Sequence, residues 1–203
     1  MSTTLNTPKF RIDWPKIFQP EKNDLNGKME YSCVALFPLG ADLSELKAAA
    51  EAAAIKKFGP DKSTWPDNIR NPFKDQGEKR VKDQATGRPK VGADGQPILP
   101  DGYVAGAMML NFKSEQRPGV VDANVQTIMD PSEIYRGCYC VAQVNAFAYD
   151  QKGNRGISFG LNNLQKVGDG DSLGGRMKPE DAFAPVAAAG AGASKSAAAS
   201  FLD

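Results

Sequence analysis

Residues 138–149 read CYCVAQVNAFAY, and their alternation separates two kinds of chemistry. Cys138, Cys140, Ala142, Val144, Ala146 and Ala148 share one face, small and apolar, suited to close packing. Tyr139, Val141, Gln143, Asn145, Phe147 and Tyr149 share the other, which mixes rings with amides. Tyr139, Phe147 and Tyr149 offer flat π-faces that stack on unpaired nucleobases, at ~1–3 kcal/mol per base and with little regard to which base. The same rings suit a second core or an interface equally well, because burial is the common fate of Phe, and Tyr needs only its polar tip in water. Pattern alone leaves both readings open.

Cations are the second resource. Between Lys74 and Lys90, Lys74, Lys79, Arg80, Lys82, Arg88 and Lys90 face only Asp75, Glu78 and Asp83, a net charge of +3. Lys74, Lys79, Arg80 and Lys82 are candidates to neutralise phosphates in a sequence-independent, salt-sensitive way. A solvated linker of mixed charge has the same composition. The turn from Lys113 to Arg117 and the hairpin from Lys152 to Arg155 place Lys113, Arg117, Lys152 and Arg155 at loop tips, where they line a groove or supply ordinary turn polarity.

Other chemistries are poorly served. The 203 residues include no histidine, which removes Ser-His-Asp and Cys-His catalysis and most zinc enzymes. Cys33, Cys138 and Cys140 are too few for a usual zinc site or a secreted disulfide framework, and read as reduced core residues. Asp169-Gly170-Asp171 resembles a fragment of a calcium loop without its remaining acidic ligands. The other carboxylates are scattered rather than paired for magnesium. No catalytic residue, metal or cofactor is therefore expected, and the chain is not expected to be an enzyme.

Positioning these side chains requires strands. PKFRIDWP at 8–15 alternates between its bounding prolines, with Phe10, Ile12 and Trp14 facing one way and Lys9, Arg11 and Asp13 the other. Residues 28–37 predict a second strand, with Met29, Tyr31, Cys33, Ala35 and Phe37 on its apolar face. Residues 42–58 predict the one helix, with Asp42 as N-cap, Glu45 at capping-box spacing and Gly59-Pro60 as its stop. Residues 60–101 show little periodicity and predict a long functional or mobile loop. Strands follow at 103–113, 138–149 and 155–161, with a short VVD segment and a turn or helical piece at DPSEIYRG between the first two. The fold class is mainly β: an OB-like β-barrel with one helix, long loops and a flexible C-terminal tail.

Composition divides the chain into a binding domain at 1–168 and a Gly/Ala-rich tail at 169–203. The tail ends in Phe201, Leu202 and Asp203, an apolar-acidic tip suited to docking partner proteins. Mean hydropathy is -0.43 and no apolar run approaches a bilayer span, so no membrane association is expected. No secretory signal is apparent, and the three cysteines, read as reduced, point to the cytosol. Net charge is only +1, so a basic groove must be local and balanced elsewhere.

Taken in order, several blocks resemble one known family. They are FRIDWPKIFQP, KMEYSCVALFPLGADLSELKAAAEAAA, GYVAGAMMLNFKSEQRPGVVD and, most closely, IYRGCYCVAQVNAFAYDQKGNRGISFGLNNLQ. Their order and spacing over residues 8–166 resemble the phage single-stranded DNA-binding proteins first catalogued as a domain of unknown function. The resemblance implies an OB-fold, coating of single-stranded DNA and a role in phage replication or recombination inside the infected bacterial host. Double-stranded DNA, phage or host replication proteins docking on the tail, and a homodimer are further partners it allows. In related phage proteins the tail is strongly acidic; this one has only Glu180, Asp181 and Asp203. A structural or assembly protein of a phage particle is the alternative that a β-rich domain with a long loop and an Ala-rich tail permits.

Overall fold

The computed structural model describes residues 4–24, 27–151 and 153–174. Among them the strands are β1 (Thr4–Asn6), β2 (Phe10–Lys22), β3 (Met29–Leu36), β4 (Lys74–Asp75), β5 (Met108–Ser114), β6 (Gly119–Val121), β7 (Tyr139–Gln151) and β8 (Asn154–Gly168), and the helix α1 (Ser44–Phe58) lies between β3 and β4. Five strands close a ring through the pairings β2–β3, β3–β5, β5–β8, β8–β7 and β7–β2. All are antiparallel except β5–β8. A five-stranded ring with one parallel pair is the OB-like barrel that the strand pattern predicts. β1 extends the edge of β7, β4 that of β5 and β6 that of β8.

The inward faces follow period two. Phe10, Ile12, Cys33, Ala35, Leu110, Phe112, Cys140, Ala142, Val144 and Phe159 are all buried. Phe112 packs edge-on to Phe10 at 5.8 Å and to Phe159 at 6.2 Å between ring centres. Such pairs add about 0.5–1.5 kcal/mol to the ~1.5–3 kcal/mol of burying each ring. The small residues of β7 let α1 approach, and Leu43, Leu46 and Ala50 of the helix segment join the same core.

Four local expectations are corrected. The alternation of β2 breaks after Ile12: Asp13 is fully buried, whereas Trp14 is 54% exposed with φ at 46°. A register shift between Asp13↔Val34 and Lys16↔Ser32 marks the bulge that turns Trp14 outward. Asp42 is not the N-cap: Leu43 holds that position, drawn into the core, and Asp42 instead accepts the Ser44 N–H at 2.9 Å. β5 begins at Met108 rather than at Tyr103, which leaves Val104 48% exposed in the approach to the strand. β3 keeps Cys33 and Ala35 inside but leaves Met29 exposed.

The long connection is pinned rather than loose at two points. Gln76 is buried, donates to Phe37 O and Met108 O at 2.8 Å each, and accepts from Val104 N at 3.0 Å. The excursion beyond it is stapled by Val81 N to Ile98 O, Asp83 N to Arg88 O and Gly92 N to Gln96 O. After β8 ends at Gly168 the chain stays on the barrel for six more residues. Leu173 is buried with Leu36, Tyr103 and Met109 in a small outer cluster, although its composition belongs with the tail.

Candidate nucleic-acid interface

Paired residues on neighbouring strands point to the same side of a sheet. Ile17, Cys33, Phe112 and Phe159 point inward, so Lys16, Ser32, Lys113 and Gly160 beside them point outward. Register aligns these four: Lys16↔Ser32, Ser32↔Lys113, Lys113↔Gly160, and then Gly160↔Asn145 on β7. They form one outward row that winds around the closed ring from β2 through β3, β5 and β8 to β7, a path of about 19 Å at ~4.8 Å per strand step. A Cβ at Gly160 would lie 2.8 Å from Asn145 Oδ1, so the glycine leaves room for the amide to lie across it.

Phe147 stands two residues beyond Asn145, paired with Ser158 and 41% exposed. It joins Glu30, Lys113, Asn145 and Asn162 around a recess of about 250 Å³. The cations of the row are held by acids: Lys16 by Glu21, and Lys113 Nζ by Glu30 Oε2 at 3.3 Å. Lys28 likewise meets Glu115 at 2.5 Å. The exposed pairs Lys16–Glu21 and Lys28–Glu115 contribute only ~0–1 kcal/mol, so an incoming phosphate can compete for these two lysines at small cost. Glu30, only 12% exposed, holds Lys113 in a more sheltered contact.

The predicted side chains divide. Phe147 and Lys113 come together on the row. Tyr139 does not: it lies eight residues down β7 from Phe147, about 26 Å along the strand at ~3.3 Å per residue, and pairs with Arg11 on β2, five residues before Lys16. There it is half-buried, with Lys9 Nζ 5.2 Å and Arg11 5.8 Å from its ring centre. Tyr149 lies over Gly156, where a Cβ would sit 2.5 Å from its hydroxyl. Arg155 is paired with Asp150 at 2.8 Å, and Arg117 lies over Phe18 at 6.0 Å. Lys74 pairs with Met109, towards the opposite end of β5 from Lys113, and Lys79, Arg80 and Lys82 sit in or beside the stapled excursion. Lys152, Phe201, Leu202 and Asp203 fall outside the described residues.

Lys16 and Ser32 carry no local sequence signal of a site. Their placement follows from the pairing of strands, with Pro15 and Pro20 in β2 as the only hint of irregular register. A second group of cations and rings lies near Tyr139: Lys166 is 5.5 Å from the Tyr135 ring centre, and Asp169–Asp171 crosses the group. Arg11 Nη2 donates to Asp171 O at 2.5 Å, and the Tyr135 hydroxyl is 3.0 Å from Asp169 Oδ1.

The cysteines are free and buried. Burial pushes the Cys33 thiol up to about 12. Cys140 is raised by its contact with Cys138 and by burial. Neither thiol is an available nucleophile. Among the described residues no three His, Cys, Asp or Glu side chains converge as a metal site, and no helix is long and apolar enough to cross a membrane.

Comparison with known proteins bears on this geometry. The protein designated p50 of Acyrthosiphon pisum secondary endosymbiont phage 1 is 26% identical over 170 residues, covering 81% of this chain and 83% of that protein. The single-stranded DNA-binding protein from bacteriophage Enc34, in complex with ssDNA, superposes with a TM-score of 0.58 at 16% identity, covering 84% of this chain and 89% of the other. The single-stranded DNA-binding protein gp2.5 of bacteriophage T7 gives 0.52 at 13% identity, covering 87% and 98%. At such identities these structures establish a shared fold. The sequence model described as "Enterobacter phage Enc34, ssDNA-binding protein" matches residues 3–193, nearly the whole chain, and the protein belongs to that family.

Proposed function

We propose that this protein binds and coats single-stranded DNA with little sequence preference during phage DNA replication or recombination, in the cytoplasm of the infected bacterium. The observation that carries the reading is the outward row Lys16–Ser32–Lys113–Asn145 with Phe147 at its end. It offers cations for phosphates, amide and hydroxyl groups for sugar and base edges, and a ring for a base. None of these reads a base pair uniquely, which supports low sequence preference. In this reading the protein acts by holding a strand rather than by catalysis, which its family membership supports. Its family and its fold relatives support the same ligand.

Residues 1–168 are assigned the binding role. Phe201, Leu202 and Asp203 are assigned to docking of replication proteins. Fluorescence anisotropy of labelled oligo-dT tests the function, at two salt concentrations. Saturable binding at low salt that weakens as salt rises supports it; an absence of binding at low salt, where phosphate contacts are strongest, refutes it.

A further inference from the structure

Trp14 is held outward by an arrangement that the row does not require. Its backbone takes φ of 46°, a left-handed conformation costly for a bulky residue. Its N–H donates to Asp13 Oδ1 at 2.9 Å. The same carboxylate is fully buried, accepts from Arg136 Nε at 2.5 Å and, through Oδ2, from the Tyr103 hydroxyl at 2.7 Å. Arg136 then lies 4.3 Å from the centre of the Trp14 ring. The cation thus backs an aromatic ring that remains 54% exposed.

Core packing does not explain this arrangement. A buried, triply bonded carboxylate fixes an exposed ring in a strained backbone, and such strain concentrates at ligand sites. Position supplies the second argument. Trp14 lies between Asp13 and Lys16, so it flanks the β2 end of the row, while Phe147 flanks the β7 end. We infer that Trp14 is a stacking platform for a nucleobase, with Arg136 behind it and Asp13 as the positioning residue. The ligand class is a base of an unpaired strand, whose phosphates continue along Lys16 and Lys113. This inference rests on the proposed single-strand binding and adds a residue to it.

A partner protein would also cover an exposed tryptophan. The cation stack and the adjoining lysine favour a base, and the experiment separates the two. Of the two tryptophans, Trp65 donates its Nε1 to Gly59 O and packs on Phe58 at the end of α1. Trp14→Phe leaves Trp65 as the only emitter, so wild-type minus variant emission reports Trp14. Saturating oligo-dT is expected to quench the Trp14 component.

Trp14→Gly is the decisive variant, because glycine adopts this φ freely and the fold should survive. Its affinity for labelled oligo-dT is expected to fall roughly 5- to 150-fold, the equivalent of one lost base stack. Trp14→Phe should recover much of that loss. Wild-type protein that binds oligo-dT while Trp14→Gly, with an unchanged melting temperature, binds equally well overturns the Trp14 assignment alone. Unquenched Trp14 emission at saturation does the same. A wild-type protein that does not bind oligo-dT overturns the functional reading as well.

Discussion

Arg136 Nε stands 2.5 Å from Asp13 Oδ1, across 123 residues of chain, and the carboxylate it meets is fully buried. This contact joins the turn before β7 to the bulge of β2, and Tyr103 adds the long connection from the other side at 2.7 Å. One side chain therefore ties three remote segments together. Removing one partner of a buried charge costs about 3–5 kcal/mol; with the Arg136 side chain 32% exposed, about 2–4 kcal/mol is the appropriate range. Arg136→Met is expected to lose that much in urea unfolding. Tyr103→Phe removes one neutral donor and should lose about 1–2 kcal/mol. Equal stability of both variants with wild type would show that the triad contributes nothing.

Alkaline pH probes the same contact. Burial, and then the bond to Asp13, raise the Tyr103 hydroxyl above its ordinary value of 10.0. A phenol raised in the folded state favours the fold in its neutral form. Its contribution is complete below pH ~10 and is lost as pH climbs above that, because the unfolded chain ionises first. Cys33, raised to about 12 by burial, adds a loss that begins near its ordinary value of 9.0. Urea midpoints should therefore fall between pH 9 and 11, and fall less steeply in Tyr103→Phe. An unchanged slope in that variant would remove Tyr103 from the account.

Salt dependence tests the row's cations. The anions Glu21, Glu30 and Glu115 surround them, so few net charges meet the strand. Two or three phosphate contacts give a slope of log K against log salt of about −1.4 to −2.1 for single strands. Lys113→Ala should make it shallower by ~0.7, and Lys79→Ala in the stapled excursion should leave it unchanged. The reverse outcome would move the phosphate path to the excursion.

Gly160 offers a steric test. Valine there meets Asn145 Oδ1 and fills the row between Lys113 and Asn145, without requiring a left-handed backbone. Oligo-dT affinity should fall roughly tenfold, about 1.4 kcal/mol, while far-ultraviolet circular dichroism stays that of wild type. Undiminished affinity would mean that the strand does not pass Gly160.

Much of the barrel was legible because its signals are local. Period-two runs mark β2, β3, β7 and β8, and the alternation of β7 puts Phe147 on the face opposite Cys140 and Val144, but whether that face is open or covered follows only from the tertiary structure, where Phe147 is exposed. The row was not legible, because Lys16, Ser32 and Lys113 become neighbours only through strand register. Tyr139 shows the limit of the alternation argument: period two fixes a side of the sheet but not a position along it. Trp14 was hidden for another reason. Pro15 disfavours the right-handed helical region at the residue before it, but the buried place of Asp13 depends on Tyr103 and Arg136, far away in sequence. The segment 169–174 reads as polar linker, yet Leu173 finds an apolar site on the outer face that no local pattern announces.

Photocrosslinking measures the strand's path most directly. Oligo-dT substituted with 5-iodouracil, irradiated with the wild-type protein and mapped by mass spectrometry, is expected to crosslink at Phe147 and Trp14, the two ends of the row. Crosslinks confined to Tyr139 or to residues 79–98, with none at Phe147 or Trp14, would contradict the interface described.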